Sequence, residues 1–325
     1  MGAGRFIAAG IVAGAATVLA RRKLDEKVAE GSLGGTSTWT RTNHRGDPIS
    51  LLEGPAVTAG LVAGAAVSGG NAPGPSAFAT AAAGAFGLVD DLAEDTSERT
   101  KGLRGHLGAL VEGRLTTGGL KVLGISGSAL IAAAAGTRRT GSAFGHLVDI
   151  GLNGALIGGT ANLVNLFDLR PGRALKAGTL ASLPLVLGGA GAATGAVVGA
   201  AVAAAPGDLG EKDMLGDGGA NALGALVGSQ IAFGTSRAVR WTALAGVVGL
   251  MLASEKVSFS KVIAGNEWLN KVDMLGRRPV EPAEVSTGSA SGAGPTSGVG
   301  STSDSGTASG VRSTSASDPM GSPGA

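Results

Sequence analysis

Three short stretches carry the residues whose types and spacing could do chemistry. Asp90 and Asp91 end an apolar run, Gly84-Ala-Phe-Gly-Leu-Val-Asp-Asp-Leu92, with Glu94 and Asp95 close behind. Asn165 and Asp168 close the sequence Asn162-Leu-Val-Asn-Leu-Phe-Asp168, where an amide three residues before an acid shares its helix face. Asp217 lies in Leu215-Gly-Asp-Gly-Gly-Ala-Asn-Ala-Leu-Gly224, a glycine-rich stretch where Asp also has a plain backbone use. An acid at the end of an apolar run is costly unless the run stops at a membrane surface or the acid holds a cation. Carboxylates with an amide are hard oxygen ligands suited to Mg²⁺, which keeps waters and takes up substrate phosphates. Lys101, Arg104, Lys121, Arg170, Arg173 and Lys176 flank these acids and could meet phosphate. Acids for a metal beside cations for phosphate, at a bilayer surface, is the profile of phosphoryl transfer involving a lipid.

The elements that must position these residues are written in composition and charge. Apolar residues make up 44% of the chain and charged ones 15%, with mean hydropathy +0.29, which points to lipid rather than to two soluble domains. The 59 glycines suit helices that approach closely in a bilayer. Cysteine is absent, which excludes disulfides and thiolate metal sites. A net charge of +2 gives no basis for binding nucleic acid.

Uncharged runs mark the helices. Phe6 to Ala20 is closed by Arg21, Arg22 and Lys23, with only Arg5 in front, which reads as an uncleaved anchor with its N-terminus outside. Gly54 to Val89 is split at Gly69-Gly-Asn-Ala-Pro-Gly-Pro75 into two helices and a turn. Val122 to Gly136, Ala143 to Phe167, a run from Ala177 to Pro206 broken near Gly188–Gly195, a run ending at Phe233, and Trp241 to Ala253 follow. Together they predict an all-α, polytopic membrane bundle of about nine to ten transmembrane helices over residues 1–255. Residues 256–279, where Val257, Phe259, Val262, Ile263, Trp268 and Leu269 alternate with Lys256, Lys261, Glu267 and Lys271, read as a cytoplasmic interfacial helix. Residues 280–325 read as a disordered Ser/Gly-rich tail. On this topology only Arg5, Arg138, Arg139, Arg237 and Arg240 fall outside, a positive-inside distribution that an inverted orientation would destroy. It brings all three acid stretches to the cytoplasmic face.

At these residues the chain resembles a known family. Asp90-Asp91 followed by Lys101-Gly-Leu103, Asn162-x-x-Asn165-Leu-x-Asp168 and Gly216-Asp217-x-Gly219-Ala-x-x-Leu223-Gly224 occur in the order and loops of the polyprenyl-phosphate N-acetylhexosamine-1-phosphate transferases, which include phospho-N-acetylmuramoyl-pentapeptide transferase. The resemblance spans Arg41 to Ala253. It implies a multi-pass enzyme of the cell membrane that passes a sugar 1-phosphate from a UDP-sugar to a polyprenyl phosphate in cell-envelope glycan synthesis, releasing UMP and requiring Mg²⁺. Carried over, Asp217 and Asp168 look like metal ligands, and Asn165 looks like an active-site amide that meets substrate. Asp90 and Asp91 look like the acidic pair that contacts the metal or positions the lipid phosphate, so Asp90, Asp91 and Asp168 are the catalytic candidates. Lys101, Lys121, Arg170 and Arg173 are the candidates for binding substrate phosphate, and a homodimer is allowed for.

The sequence departs from that family's usual pattern at three places. Pro171 stands where a second acid is usual, Glu94 where the muramoyl-pentapeptide enzymes carry a lysine, and the only histidines are His44, His106 and His146, so a histidine-rich loop is missing. These point to a divergent member with another nucleotide sugar. Two rival readings remain: a non-catalytic membrane protein that binds polyprenyl phosphate or an envelope partner, and an intramembrane prenyltransferase, whose aspartate-rich motif Asp90-Asp91-x-x-x-Asp95 resembles.

Overall fold

Glycine and alanine decide how this chain packs. The computed structural model describes residues 2–43, 45–93, 117–139 and 141–279, which are mostly helical; Glu94, Asp95, Lys101, Arg104, His44, His106 and the tail from residue 280 lie outside them. The elements are α1 (Ala3–Ala29), α2 (Thr36–Trp39), strands β1 (Thr40–Thr42) and β2 (Pro48–Ser50), α3 (Glu53–Ser68), α4 (Pro73–Ala93), α5 (Thr117–Gly136) and α6 (Ala143–Phe167). They continue with α7 (Arg173–Ser182), which tightens into a 3₁₀ turn (Leu183–Leu187), then α8 (Ala193–Leu209), α9 (Gly216–Gly234), α10 (Arg237–Ser254), α11 (Phe259–Gly265) and α12 (Glu267–Met274).

Helix α9 is the axis, enclosed by α3, α4, α6 and α7 and buried along almost its whole length. Its small residues let neighbouring backbones touch it. A Cβ on Gly224 would collide with the Thr160 carbonyl of α6, and one on Gly228 would lie 2.8 Å from the Ile157 Cα. On the α4 side Gly87 abuts the Asp217 carbonyl, and on the α3 side Gly54 abuts that of Leu215. A second layer repeats the device. Gly195 and Gly199 of α8 meet the Phe6 and Gly10 carbonyls of α1, and Gly60 and Gly64 of α3 face Thr17 and Ala13. Each pair is spaced four residues apart, so both glycines fall on one helix face, the spacing that brings helices together where dispersion rather than water drives association.

Polar contacts fix the turns at the two ends. At one end the Asn71 N–H donates to the Gly189 carbonyl at 3.0 Å, the Asn71 side-chain amide to the Phe233 carbonyl at 2.8 Å, and the Gly189 N–H to the Gly234 carbonyl at 2.9 Å. Arg237 pairs with Asp149 at 3.0 Å, and Arg240 donates to Asn153, which donates to Thr137. Thus the turns before α4, α6, α8 and α10 share that end, and the chain passes up and down between it and the opposite one. Near the Asn71 end, Ser182, Gln230 and Thr194 close a fully buried ring of hydrogen bonds of 2.8, 2.9 and 3.1 Å that holds the broken α7 against α9.

Outward, the bundle shows apolar side chains to its surroundings: Ile7, Ile11, Leu123, Ile131, Leu147 and Val202 are all exposed. Exposed apolar surface of this kind marks contact with a membrane or with another protein. By length and apolar composition α1, α5 and α6 suffice to cross a membrane, and α10 with α11 makes a fourth span if that pair, bent by 95°, is taken as one. Helices α3 and α8, at 16 and 17 residues, are shorter, and α9 faces protein rather than lipid.

One departure from an all-α chain is the antiparallel hairpin β1–β2, registered Thr40↔Ser50, Arg41↔Ile49 and Thr42↔Pro48. The Asn43 side-chain oxygen accepts the N–H groups of Arg45 and Asp47, and Gly46 takes φ +90°, so the turn is built from residues that favour it. The hairpin adds to the segment before α9, where Ser50 N–H donates to the Lys212 carbonyl at 3.0 Å and Met214 N–H to the Ser50 carbonyl at 2.9 Å.

Substitution by alanine distinguishes packed from open glycines. Gly224→Ala drives a methyl into the α6 backbone and is expected to lower stability by ~1–3 kcal/mol. Gly246→Ala, which meets nothing within 4 Å, is expected to be neutral or to gain up to ~1 kcal/mol of helix propensity. Thermal unfolding of the two variants in detergent checks the difference in sign.

Candidate functional site

At the end of the bundle opposite the Asn71 turn, α9 begins without a capping side chain of its own, since its N-cap is Leu215. The first N–H groups of a helix need acceptors. Asp91 of α4 supplies them, its two oxygens accepting the N–H groups of Asp217 and Gly218 at 2.9 Å each. Asp168, just past the end of α6, faces the same helix start and accepts from the Gly216 N–H. Gly216 adopts φ +60°, which a glycine takes freely as the chain turns into α9.

With its backbone held in this way, Asp217 turns its carboxylate to Lys121 of α5, whose ammonium bridges it to Asp90 of α4. All three side chains are part-buried and open to the surface. Arg41 of β1 donates to the Asp91 carbonyl at 2.6 Å and ties the hairpin to the same place. Sequence separations of up to 127 residues thus close into one cluster: Asp90, Asp91, Asp168, Asp217 and Lys121.

Further acids stand behind it. Glu53 opens α3 with 3% of its surface exposed and neither oxygen partnered among the described residues, and Asp208 of α8, also 3% exposed, uses one oxygen to accept the Gly172 N–H at 3.1 Å. Asp213 pairs with Arg21 of α1 at 2.6 Å. Burial pushes the Asp168 carboxyl well above the usual carboxylate range, and the nearby Asp208, Asp217 and Asp91 charges push the same way against the Gly216 amide. Sequence reading did not single out Glu53, Asp208, Asp213 or Arg21, although Glu53 and Asp208 also stand at the ends of apolar runs and so carry the signal that drew attention to Asp90 and Asp91.

The other expected residues are distributed differently. Asn165 lies one helical turn before Asp168 on α6, and neither its side chain nor that of Arg170 enters a hydrogen bond or ion pair among the described residues. Lys101 lies outside the described residues. Arg173 is turned away from the acids: buried at the start of α7, it binds Asp273 of α12 bidentately at 2.7 and 3.0 Å and donates to Ser260 at 2.9 Å. It therefore secures the C-terminal helices instead of standing open to substrate. Phe167 adds a stacked contact to Phe259 with ring centroids 4.8 Å apart.

Among the described residues no three acid or histidine side chains are disposed to hold a metal together. Mg²⁺ does not need such a cage, since it takes one or two carboxylates and completes its octahedron with waters and phosphate oxygens. The Lys121 ammonium marks a place where two carboxylates, Asp90 and Asp217, already hold a cation, and Asp168 faces the same helix start, so oxygen donors of the kind that Mg²⁺ takes are present there. No family model and no curated protein matches this chain.

Two measurements probe these contacts. Asp91→Ala strips two acceptors from the start of α9 and is expected to cost ~1–2 kcal/mol in thermal unfolding, with Asp91→Asn, which keeps one acceptor, costing less. The second concerns Asp273. Burial works against its charge, but the hydrogen bonds and charge of Arg173, then the charges of Arg277 and Lys176, outweigh it and hold the carboxyl below its ordinary value. A lowered folded value means that the contribution is fully present above the unfolded pKa of ~3.9 and is lost as pH falls through the folded value. Protection of the amides across residues 259–274 against exchange, taken relative to the intrinsic rate at each pH, is therefore expected to fall below about pH 4, and the Asp273→Asn variant to lose that pH step.

Proposed function

We propose that this chain is a multi-pass membrane transferase that moves a sugar 1-phosphate from a UDP-sugar to a polyprenyl phosphate, with its acid cluster on the cytoplasmic side. The observation that carries the reading is the meeting of Asp90, Asp91, Asp168, Asp217 and Lys121 at one end of the bundle. The alternation of turns between the two ends supports about nine passes with the N-terminus outside. The Lys and Arg residues that accumulate toward the acid end support its cytoplasmic placement.

In the transfer, an oxygen of the polyprenyl phosphate attacks the sugar-bearing phosphorus of the UDP-sugar. The bond between that phosphorus and the bridging oxygen breaks, and UMP leaves. The attacking oxygen is already anionic near neutral pH, so the protein's task is alignment and charge neutralisation more than base catalysis. Asp91 fixes the start of α9 and with it the direction of Asp217. Asp90 holds Lys121 beside Asp217, where its ammonium can meet a phosphate oxygen as the substrate enters. Mg²⁺ held by Asp217 and Asp168 would supply the charge that neutralises the diphosphate.

Full-length protein in nanodiscs with Mg²⁺, polyprenyl phosphate and a panel of UDP-sugars is expected to release UMP. Asp217→Asn is expected to lose roughly 10²-fold or more in rate, as removal of a transition-state charge partner does. Silence across the panel, or a rate indifferent to Asp217→Asn, overturns the proposal. Diphosphate release from a prenyl diphosphate would instead identify a prenyltransferase, and lipid-phosphate binding without turnover a non-catalytic protein.

A further inference from the structure

The segment after α10 is arranged in a way that the transfer chemistry does not require. The chain bends by 95° between α10 and α11, so α11 runs across the end of the span and not along it. The bundle-facing side of α11 and α12 is held mainly by polar contacts, with one aromatic contact from Phe259 to Phe167: Asp273 and Ser260 are taken by Arg173, and Lys176 donates to the Asp273 carbonyl at 2.6 Å. The side turned away is apolar. On α12 Trp268 is 72% exposed, and Leu275, which caps the end of that helix, is 71% exposed; Lys271, paired along the helix with the exposed Glu267 at 2.6 Å, lies between them. Val262 of α11 is exposed as well, and Lys256 and Lys261 flank it. Soluble proteins bury such residues on folding, and here the polar contacts hold them outward.

We propose that residues 256–278 form a surface anchor that lies in the plane of an anionic bilayer at the acid end. Val262, Trp268 and Leu275 enter the boundary between headgroups and acyl chains, and Lys256, Lys261 and Lys271 meet anionic headgroups. Three features select lipid as the occupant. A tryptophan beside lysines is the composition of an interfacial face. The positive charge complements anionic headgroups. Exposed apolar residues also stand on either side of the bend, Leu252 on α10 and Val257 just after it. The proposal rests on α10 lying in the membrane and is independent of catalysis.

Because the chain has no cysteine, single-cysteine variants of the full-length protein can each carry one environment-sensitive fluorophore. In nanodiscs of phosphatidylcholine with phosphatidylglycerol, a probe at Leu275→Cys is expected to be blue-shifted, quenched from the lipid and shielded from aqueous iodide. A probe at Asn270→Cys on the other side of α12 is expected to stay in water. Changing Lys256, Lys261 and Lys271 to Gln is expected to remove the response to phosphatidylglycerol, by roughly fivefold in surface partitioning per lysine. If the Leu252→Cys probe is in lipid while Leu275→Cys is as water-exposed as Asn270→Cys, the anchor is overturned and the membrane reading of α10 stands. If Leu252→Cys is also in water, both fail. Burial of Leu275→Cys that is independent of lipid charge, or that follows protein concentration with energy transfer between copies, overturns the anionic surface as its occupant.

Discussion

The acid end depends on one contact, the acceptance by Asp91 of the Asp217 and Gly218 N–H groups. A helix that begins at Leu215 with no capping side chain would otherwise leave its first amides unsatisfied inside the protein. Asp91 can serve because Gly87, one turn earlier on α4, lets that helix lie against the Asp217 carbonyl. The cap and the glycine contact are thus one construction, and a side chain at residue 87 would push the carboxylate away from the amides that it serves. Once Asp91 meets this need from outside, Asp217 is released from capping its own helix and its carboxylate is available to Lys121.

Among the described residues this region holds acids that no cation pairs with. Lys121 serves Asp90 and Asp217, and Arg21 serves Asp213, whereas Glu53 and one oxygen of Asp208 have no hydrogen-bond partner among the described residues. Carboxylates buried this close repel one another strongly in a medium that screens poorly. Each either takes up a proton or attracts positive charge. The upward push on Asp168 is the first response. The way that Asp90 and Asp217 grip one ammonium is the second. An end of this kind favours cations and disfavours a bare phosphate, so an anionic substrate has to arrive with positive charge beside it.

Much of this was legible in the sequence because charge gaps and glycine-proline clusters mark where helices stop. The expected break at Gly69–Pro75 corresponds to α3 ending at Ser68 and α4 starting at Pro73, and the one near Gly188–Gly195 to the 3₁₀ turn ending at Leu187 and α8 starting at Ala193. Passing alternately from end to end, such helices bring Asp90, Asp91, Asp168 and Asp217 to one end of the bundle. What could not be read was which side of each helix faces inward. Helices made of Gly, Ala, Val and Leu all round carry little directional pattern, so the inner face is set by where glycine admits a neighbouring backbone. Arg173 shows the consequence: three residues past Arg170 and adjacent in sequence to the acids, it points instead to Asp273, a partner 100 residues away. The β1–β2 hairpin escaped notice because three-residue strands leave no period to detect.

The turn that carries Asp168 is held from both sides by the C-terminal helices. Phe167, immediately before it, stacks on Phe259, and Arg173, five residues after it, is bound twice to Asp273. Neither α6 nor α7 alone fixes this turn, since Gly172 takes a left-handed conformation between them and Asp208 anchors only its backbone N–H. The position of Asp168 relative to the start of α9 is therefore shared between the bundle and a pair of helices whose other side faces outward. A force that seats or lifts α11 and α12 acts on Phe259 and Asp273 first, and through them on the two residues that bracket Asp168. Asp168 is in this way connected to the surface of the protein by two short, direct contacts of its neighbours, one aromatic and one ionic.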